Sequence, residues 1–355
     1  MKTALSNFNE AELSEILKTF GEPSYRAKQL FKWVHQATPF DKMSNLPKSL
    51  TSKLSEDYVV TGVSIFKKLV SRDGTVKYLF ALDDGNIVEG VLMRYKYGNT
   101  LCVSTQVGCR MNCAFCASGI DGLIRNLTAG EILGEILEVN RDEGATADKR
   151  AVTNVVLMGS GEPLDNYDEV TKFLRLLNDK DGINVSERNV SLSTCGITDK
   201  IRKLADDGFS VTLTISLHAP TDEIRKTIMP TANKYKIADI LDAAKYYFDK
   251  TGRRYIFEYA LIKGVNDGKE NMLTLAKVLK GKPCHVNLIR LNYVKEKGLR
   301  GADDAEEMKQ ILEENGISAT VRRTMGSDID GACGQLRRRY VNDRRACDKG
   351  RCFPI

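Results

Sequence analysis

Hydrophobic residues in positions 1–65 recur at helical spacing. Apolar side chains lie at i, i+3 and i+4 in residues 11–17 and again in residues 25–34, and a glycine and a proline separate the two runs. A third helix is expected after Pro47. The pattern therefore predicts a small, basic helical bundle that forms an accessory domain over residues 1–65.

The spacing changes to that of β-strands in residues 66–98. Residues 77–82 and 87–93 are rich in apolar and aromatic side chains, and the four residues between them are Asp-Asp-Gly-Asn. Two such runs around a glycine-containing turn predict a β-hairpin. We therefore assign residues 66–98 to a β-hairpin linker.

Strand-like and helical segments alternate from residue 99 onward. Strands are predicted near residues 101–106, 153–158, 189–194, 211–216, 254–261, 285–290 and 318–322, and helices near 128–140, 165–177, 198–206, 236–249, 268–279 and 303–315. This alternation predicts an α/β fold with a parallel sheet, either doubly wound or a full or partial barrel. In each architecture the chemistry lies beyond the carboxyl ends of the strands. We assign residues 99–340 to this domain and 341–355 to a basic tail.

Composition narrows the class of protein. The chain of 355 residues is 42% hydrophobic and 28% charged, which is ordinary for a globular protein and excludes collagen-like or largely disordered chains. We expect a cytoplasmic protein that does not enter a membrane, because no apolar run has the length of a membrane span or of a signal peptide. Most of the formal charge of +6 lies in residues 334–355, which hold seven basic and two acidic residues. Such a tail fits an acidic partner such as RNA, or is simply a solvated terminus.

The spacing of the nine cysteines indicates metal or redox chemistry. Cys109, Cys113 and Cys116 form a C-x3-C-x2-C loop directly after the first predicted strand of the α/β domain. Three thiolates can hold a 4Fe-4S cluster and leave one iron open for a small ligand. Structural zinc and merely buried thiols are the alternatives, and the loop offers no fourth ligand for zinc.

This cysteine loop, with an aromatic residue before its last cysteine, resembles that of the radical S-adenosylmethionine (SAM) superfamily. Further motifs resemble, in order, the RlmN/Cfr family of RNA adenosine methyltransferases. They lie at residues 158–164, 192–196, 216–220, 264–268, 286–289 and 328–336. The resemblance implies a radical SAM partial (β/α) barrel, with SAM bound to the open iron of the cluster.

The resemblance also implies which residues contact SAM. They are Gly161, Glu162, Ser193, Ser216, Leu217, His218 and Asn292, most of which lie at predicted strand ends. Each also has an ordinary interpretation. A glycine at a strand end lets backbone approach a ligand or makes a plain turn, and a single histidine is more often a structural group.

Two cysteines outside the loop and one glutamate complete the implied site. In the family, a first SAM methylates one cysteine, and the radical made from a second SAM activates that methyl group for addition to the purine ring. Sequence order matches Cys333 to the methyl carrier, Cys102 to the thiol that resolves the adduct as a disulfide, and Glu89 to the general base. Without the resemblance, the cysteines are incidental thiols and the glutamate faces solvent.

The resemblance favours methylation of C2 of adenosine at position 2503 of 23S rRNA and at position 37 of tRNA. Methylation of C8, as in the Cfr branch, is the alternative, because Pro163 favours the RlmN branch whereas Arg290 departs from it. A radical SAM activase acting on a protein is a second alternative. We expect a monomer that receives electrons from a flavodoxin or ferredoxin, and no role for Cys347 and Cys352.

Overall fold

The computed structural model describes residues 2–146 and 149–329. Cys333, Cys347, Cys352 and the basic tail lie outside the described residues, so the predictions about them are not examined by the structure. Among the described residues, no helix combines the length and the apolar composition that crossing a bilayer requires.

The predicted helical bundle at the amino terminus is present. Its helices are α1 (Glu10–Thr19), α2 (Tyr25–Val34) and α3 (Lys48–Asp57), and the short strands β1 (Thr3–Ala4) and β2 (Tyr58–Val59) pair in parallel. A reciprocal capping box between Asn9 and Glu12 begins α1. The three helices bury Leu13, Leu17, Leu30, Phe31, Leu50 and Leu54. This apolar cluster is part of the main core, so the helices are packed onto the rest of the chain.

An antiparallel region follows the helices. Its strands are β3 (Val63–Val70), β4 (Val76–Leu82), β5 (Ile87–Tyr95) and β6 (Gly98–Val103), each paired with the next. The predicted hairpin corresponds to β4 and β5, whereas β3 was not predicted individually. Because β5 pairs with β6, and β6 also pairs with the parallel strands, the hairpin is continuous with the α/β sheet.

The α/β region contains all seven strands and six helices that the sequence predicts, shifted by a few residues. After β6, its strands are β7 (Gln106–Gly108), β8 (Leu123–Asn126), β9 (Asn154–Leu157), β10 (Val190–Thr194), β11 (Thr212–Ser216), β12 (Tyr255–Leu261), β13 (Cys284–Arg290) and β14 (Ala319–Val321). Its helices are α4 (Ala129–Asp142), α5 (Tyr167–Asn178), α6 (Thr198–Asp206), α7 (Asp222–Ile228), α8 (Ile237–Thr251), α9 (Lys269–Leu279) and α10 (Ala305–Glu314). The small β7–β8 hairpin and α7 were not predicted.

Strand order selects a partial barrel over a doubly wound sheet. The ten-stranded sheet has the order β14-β13-β12-β11-β10-β9-β6-β5-β4-β3. The parallel strands β6 and β9–β14 follow chain order without a reversal, whereas a doubly wound sheet needs a switch point. Burial alternates along these strands, so that Leu192 is fully buried whereas its neighbour Ser193 is half-buried. These strands therefore present a half-buried polar face opposite the fully buried one.

Candidate active site

The three cysteines of the predicted cluster lie in the loop that joins β7 to β8. Gly108 has a φ of +80°, and a Cβ there would lie 2.0 Å from the carbonyl oxygen of Gly122, so only glycine fits at the base of the loop. The N–H of Cys109 donates to that same carbonyl at 3.0 Å. The N–H of Ala114 donates to the carbonyl of Ile228 at 2.8 Å, which ties the loop to the end of α7.

The thiols of this loop are chemically suited to iron. Burial raises the pKa of Cys109 to about 12 and also raises that of Cys113, and the charge of Cys116 adds to both shifts. Bound iron supplies the positive charge that such thiols need to ionise, so the donor set fits a cluster. In the part of the chain that the structure describes, no three His, Cys, Asp or Glu side chains already stand in a metal-binding arrangement. Convergence of the three sulfur atoms on a cluster therefore stays a prediction.

Glu162 lies buried beside the cysteine loop. Its carboxylate accepts the N–H of Leu164 at 3.0 Å and the N–H of Cys195 at 2.7 Å. Burial raises the pKa of Glu162, whereas these donors lower it. The charge of Glu162 also contributes to the raised pKa of Cys109 and Cys113, so this carboxylate and the loop are neighbours.

The glycine before it has a packing role that the sequence did not reveal. Gly161 has a φ of +106°, and a Cβ there would lie 2.6 Å from the Cβ of Gln106. The side-chain oxygen of Gln106 accepts the N–H of Glu162 at 2.9 Å. The close approach that requires glycine is therefore to β7, and a contact of Gly161 with a ligand stays a prediction.

The next three predicted SAM contacts lie on β11 or directly after it. Ser216 ends the strand and lies opposite Glu258 of β12. Leu217 is fully buried, so contact between its side chain and a ligand would require its neighbours to move. His218 has a φ of +55°, and its Nδ1 accepts the N–H of Ala260 at 2.9 Å. Burial lowers the pKa of His218 to about 3, so this histidine is neutral and joins β11 to β12.

The two remaining predicted SAM contacts are separated in the sheet. Ser193 is half-buried on β10, opposite Thr214 of β11. Asn292 lies exposed in the loop that follows β13. Parallel strands bring Ser193 and Ser216 to the same end of the sheet, whereas the position of Asn292 depends on the loop that carries it.

A buried arginine that the sequence did not reveal holds these strand ends together. Arg225 of α7 is fully buried and donates to the carbonyls of Cys195 at 2.6 Å, Leu217 at 3.1 Å and Tyr235 at 3.0 Å. Burial lowers the pKa of Arg225, and nearby thiols oppose that shift. The helix has seven residues and no distinctive motif, so nothing in the sequence marks this arginine.

Ser216 is the first of four polar residues that lie side by side on neighbouring strands and share one face of the sheet. Strand register places Glu258, Asn287 and Thr320 side by side on β12, β13 and β14. The amide of Asn287 donates to Glu258 at 3.1 Å, and the hydroxyl of Thr320 donates to Asn287 at 2.8 Å. Burial raises the pKa of Glu258, and Arg322 at 3.7 Å lowers it. This polar surface is a second feature that sequence reasoning missed.

Cys102 and Glu89 lie on one face of the neighbouring antiparallel strands. Cys102 is half-buried on β6, opposite Val91 of β5, and Glu89 is two residues from Val91 along β5. Side chains two residues apart on a strand share a face, so Glu89 is a diagonal neighbour of Cys102. Glu89 is only 8% exposed, which excludes the solvent-facing alternative. Its carboxylate lies 3.0 Å from the ammonium of Lys77 on β4.

The chain that leads towards Cys333 is anchored at the β3–β4 turn. The N–H of Gly326 donates to Asp73 at 2.9 Å, and this donor lowers the pKa of Asp73. Asp328 accepts the hydroxyl of Ser71 at 2.5 Å and the N–H of Arg72 at 3.1 Å. Lys77 is the second residue of β4 and lies just beyond this turn. The described chain therefore ends close to the strands that carry Glu89 and Cys102.

Comparisons with known proteins show the family to which the chain is similar. The family described as the Radical SAM superfamily matches residues 103–276, and the ribosomal RNA large subunit methyltransferase N-terminal domain matches residues 3–60. A probable dual-specificity RNA methyltransferase RlmN from Clostridium novyi is 52% identical over 97% of this chain and 100% of its own length. One from Clostridioides difficile is 52% identical over 96% of this chain and 98% of its own.

A solved structure extends the similarity to the whole fold. The crystal structure of a radical SAM methyltransferase from Sphaerobacter thermophilus has a TM-score of 0.90 and 41% identity, and the match covers 94% of this chain and 98% of that one. Identity above 50% over almost the full length, together with matches to both domain families, shows more than a shared barrel. The chain belongs to the RlmN family of radical SAM RNA methyltransferases.

Proposed function

We propose that this enzyme methylates C2 of adenosine, at position 2503 of 23S rRNA and at position 37 of tRNA. The curated relatives are named dual-specificity RNA methyltransferases, which supports two classes of RNA substrate. The observation that carries the proposal is the face shared by Glu89 and Cys102, beside the anchored chain that leads to Cys333. A base and a thiol on one face suit a covalent route better than direct methyl transfer.

Two cysteines are needed because C2 of adenine is electron-poor and does not attack the methyl group of SAM. When bound, a 4Fe-4S cluster and SAM would supply the electron and the 5′-deoxyadenosyl radical, and two SAM molecules would be used in each turnover. Cys109, Cys113 and Cys116 would hold the cluster. Cys333 carries the methyl group to the base, and Cys102 forms a disulfide with Cys333 as the carbon–sulfur bond breaks.

Polar groups at the strand ends are proposed to position SAM. Ser193 and Ser216 offer hydroxyl groups at the carboxyl ends of β10 and β11. Glu162 is the proposed acceptor for the amino group of SAM, and Asn292 is a proposed contact from the loop after β13. Gly161 and His218 support these groups through the packing contacts described above.

The choice of C2 over C8 rests on the motif around Glu162. Pro163 is buried at the start of the turn that follows the glutamate, where a proline fixes the backbone. Arg290, which departs from the RlmN pattern, is exposed at the end of β13 and lies 3.6 Å from Glu306. An exposed residue that faces α10 has less influence on the position of a base than a buried one beside the cluster loop.

The helical domain is the proposed binding site for RNA phosphates. A groove on α2 is lined by Tyr25, Lys28, Lys32 and Trp33, among others. Tyr25 is 59% exposed, so its ring is available for stacking on an unpaired base. Lysines beside an exposed aromatic ring suit single-stranded RNA, and the contribution of the lysines falls as salt rises. Electron transfer from a flavodoxin or ferredoxin, a monomeric state and a cytoplasmic location complete the proposal.

Product analysis tests this function. The anaerobically reconstituted enzyme is incubated with unmodified 23S rRNA or tRNA, SAM and dithionite, and the digested nucleosides are separated against both methyladenosine isomers. We expect 2-methyladenosine from both RNAs, and none from substrates in which the target adenosine is replaced by guanosine. Detection of 8-methyladenosine alone would assign the enzyme to C8, and transfer of label only to protein would contradict RNA methylation.

A further inference from the structure

The antiparallel strands bury an ion pair. Lys77 is fully buried and Glu89 is 8% exposed, with 3.0 Å between the ammonium nitrogen and the nearer carboxylate oxygen. Replacing such a pair with apolar side chains of similar volume is often neutral or stabilising, so a buried ion pair is weak evidence of a contribution to stability. Stability alone therefore does not explain why this ion pair is buried here.

Strand register places both charges next to the proposed reaction site. Lys77 lies opposite Val91, and Val91 lies opposite Cys102, so Lys77, Val91 and Cys102 form one row across three strands. Glu89 is the diagonal neighbour of both ends of this row. The carboxylate therefore lies between an ammonium on one side and the proposed resolving thiol on the other.

The opposite face of these strands is covered by α4. A Cβ on Gly90 would lie 3.4 Å from the carboxylate of Glu135, which belongs to that helix. Burial raises the pKa of Glu135 well above its usual value, whereas a hydrogen bond from the N–H of Ser104 lowers it. Since Gly90 points towards α4, Glu89 points to the inner face, where a bound base would approach.

We propose that Lys77 is a positioning residue that holds the carboxylate of Glu89 in the orientation needed for proton removal. This inference rests on the proposed function, in which Glu89 takes the ring proton of the covalent adduct. In that step the ring C–H bond breaks, an O–H bond forms on Glu89, and the electron pair stays with the adduct. A charge-assisted contact of 3.0 Å with the ammonium of Lys77 restricts the orientation of this carboxylate.

The experiment isolates the half-reaction that follows methyl loading. Enzyme carrying a methyl group on Cys333 is mixed with RNA, SAM and reductant, and release of methylated RNA is followed in a single turnover at neutral pH. For Lys77→Met we expect release to slow at least about tenfold, because the carboxylate has lost the cation that orients it.

Three further variants separate this role from a structural one. Lys77→Arg keeps the charge and the hydrogen-bond donors and is expected to restore the wild-type rate of release. Adding Lys77→Met to Glu89→Gln should slow release no further, because Lys77 acts through Glu89. Lys68→Met is the matched control, since Lys68 pairs with Asp142 in an exposed position on the adjacent strand β3.

The outcomes distinguish this inference from the function on which it rests. A wild-type rate of release for Lys77→Met, with Glu89→Gln impaired, would overturn the role of Lys77 and leave the function intact. Failure of the wild-type enzyme to load a methyl group or to release methyladenosine would instead overturn the proposed function. Lys77→Gln carries the same expectation should the Met variant give too little folded protein.

Discussion

The parallel and antiparallel halves of the sheet present functional groups in different ways. In β9–β14 the candidate residues lie at or beyond the carboxyl ends of strands, as Glu162 and Ser216 do. In β4–β6 they lie within strands, as Lys77, Glu89 and Cys102 do. Parallel strands connected by helices bring many loops to one edge, whereas antiparallel strands place side chains in rows on a face.

This difference suits the two tasks of the enzyme. A cofactor such as SAM needs contacts from several directions, which loops at one edge provide. Resolution of a covalent adduct needs a base and a thiol in fixed relation, which neighbouring strands provide through their register. The following predictions test this division of tasks between the two halves of the sheet, beginning with the largest expected effect.

Cluster assembly should depend on the cysteine loop between β7 and β8, and not on the antiparallel strands β4–β6. Cys113→Ala should remove the iron–sulfur absorbance and all SAM cleavage, because a cluster with two cysteine ligands is not retained. Cys284→Ala, which changes a buried cysteine at the start of β13, is the matched control and should keep both signals. A full cluster in Cys113→Ala would exclude this loop as the cluster site.

The two proposed catalytic cysteines should fail at different steps. Cys333→Ala should accept no methyl group and form no product. Cys102→Ala should load methyl and accumulate RNA attached to Cys333, because no second thiol can break the carbon–sulfur bond. Denaturing gels with nuclease treatment, followed by peptide mass spectrometry, detect the adduct. Normal turnover by Cys102→Ala would contradict a resolving role for the antiparallel half.

Arg225 should matter more for stability than any exposed arginine. Arg225→Met leaves several buried carbonyls unpaired, so we expect a loss of about 3 kcal/mol or more in the free energy of unfolding. Arg202→Met is the control, because Arg202 is 38% exposed and pairs with Asp242 on the surface. That pair should contribute less than about 1 kcal/mol. Equal losses in urea titrations would show that α7 does not hold the strand ends together.

Acid should destabilise the helical domain and the barrel through one buried histidine each. Burial lowers the pKa of His35 and of His218 from 6.5 to about 3, so each is neutral when folded. The stabilisation is therefore complete above pH 6.5 and is lost as the pH falls towards 3. At pH 5.5 each histidine should cost about 1.4 kcal/mol relative to neutral pH.

His35→Gln separates the two contributions. Urea unfolding at pH 7.5 and 5.5 should show a smaller decrease for this variant than for the wild type, because only His218 remains to titrate. An unchanged decrease would mean that His35 takes up its proton in the folded protein, despite a ring that packs against Phe31 with 4.1 Å between centroids.

The smallest effect is expected at the β3–β4 turn, which anchors the chain that leads towards Cys333. Asp73→Asn weakens the hydrogen bond from Gly326 and should slow RNA methylation about two- to fivefold, while SAM cleavage without RNA continues. Asp83→Asn, in the exposed β4–β5 turn, is the matched control and should have no effect. Equal rates for both variants would mean that the turn does not help to place the segment of Cys333.

The sequence alone was sufficient for the order of elements and for the family. Helical and strand periodicities predicted the seven parallel strands, the three amino-terminal helices and six helices of the α/β region, because each element shows its own spacing of apolar residues. The cysteine spacing and the ordered motifs identified the radical SAM chemistry, since these residues are close in sequence. The small β7–β8 hairpin and α7 were missed because they are too short to show a period.

Only the tertiary structure decided how distant residues meet. Strand order selected the partial barrel, and register placed Lys77 of β4 beside Glu89 and in the row of Cys102. A one-residue change of register would have turned these side chains to the opposite face, and no local pattern specifies that choice. The sequence marks which residues can do chemistry, whereas their pairing depends on contacts between segments that the chain brings together only when it folds.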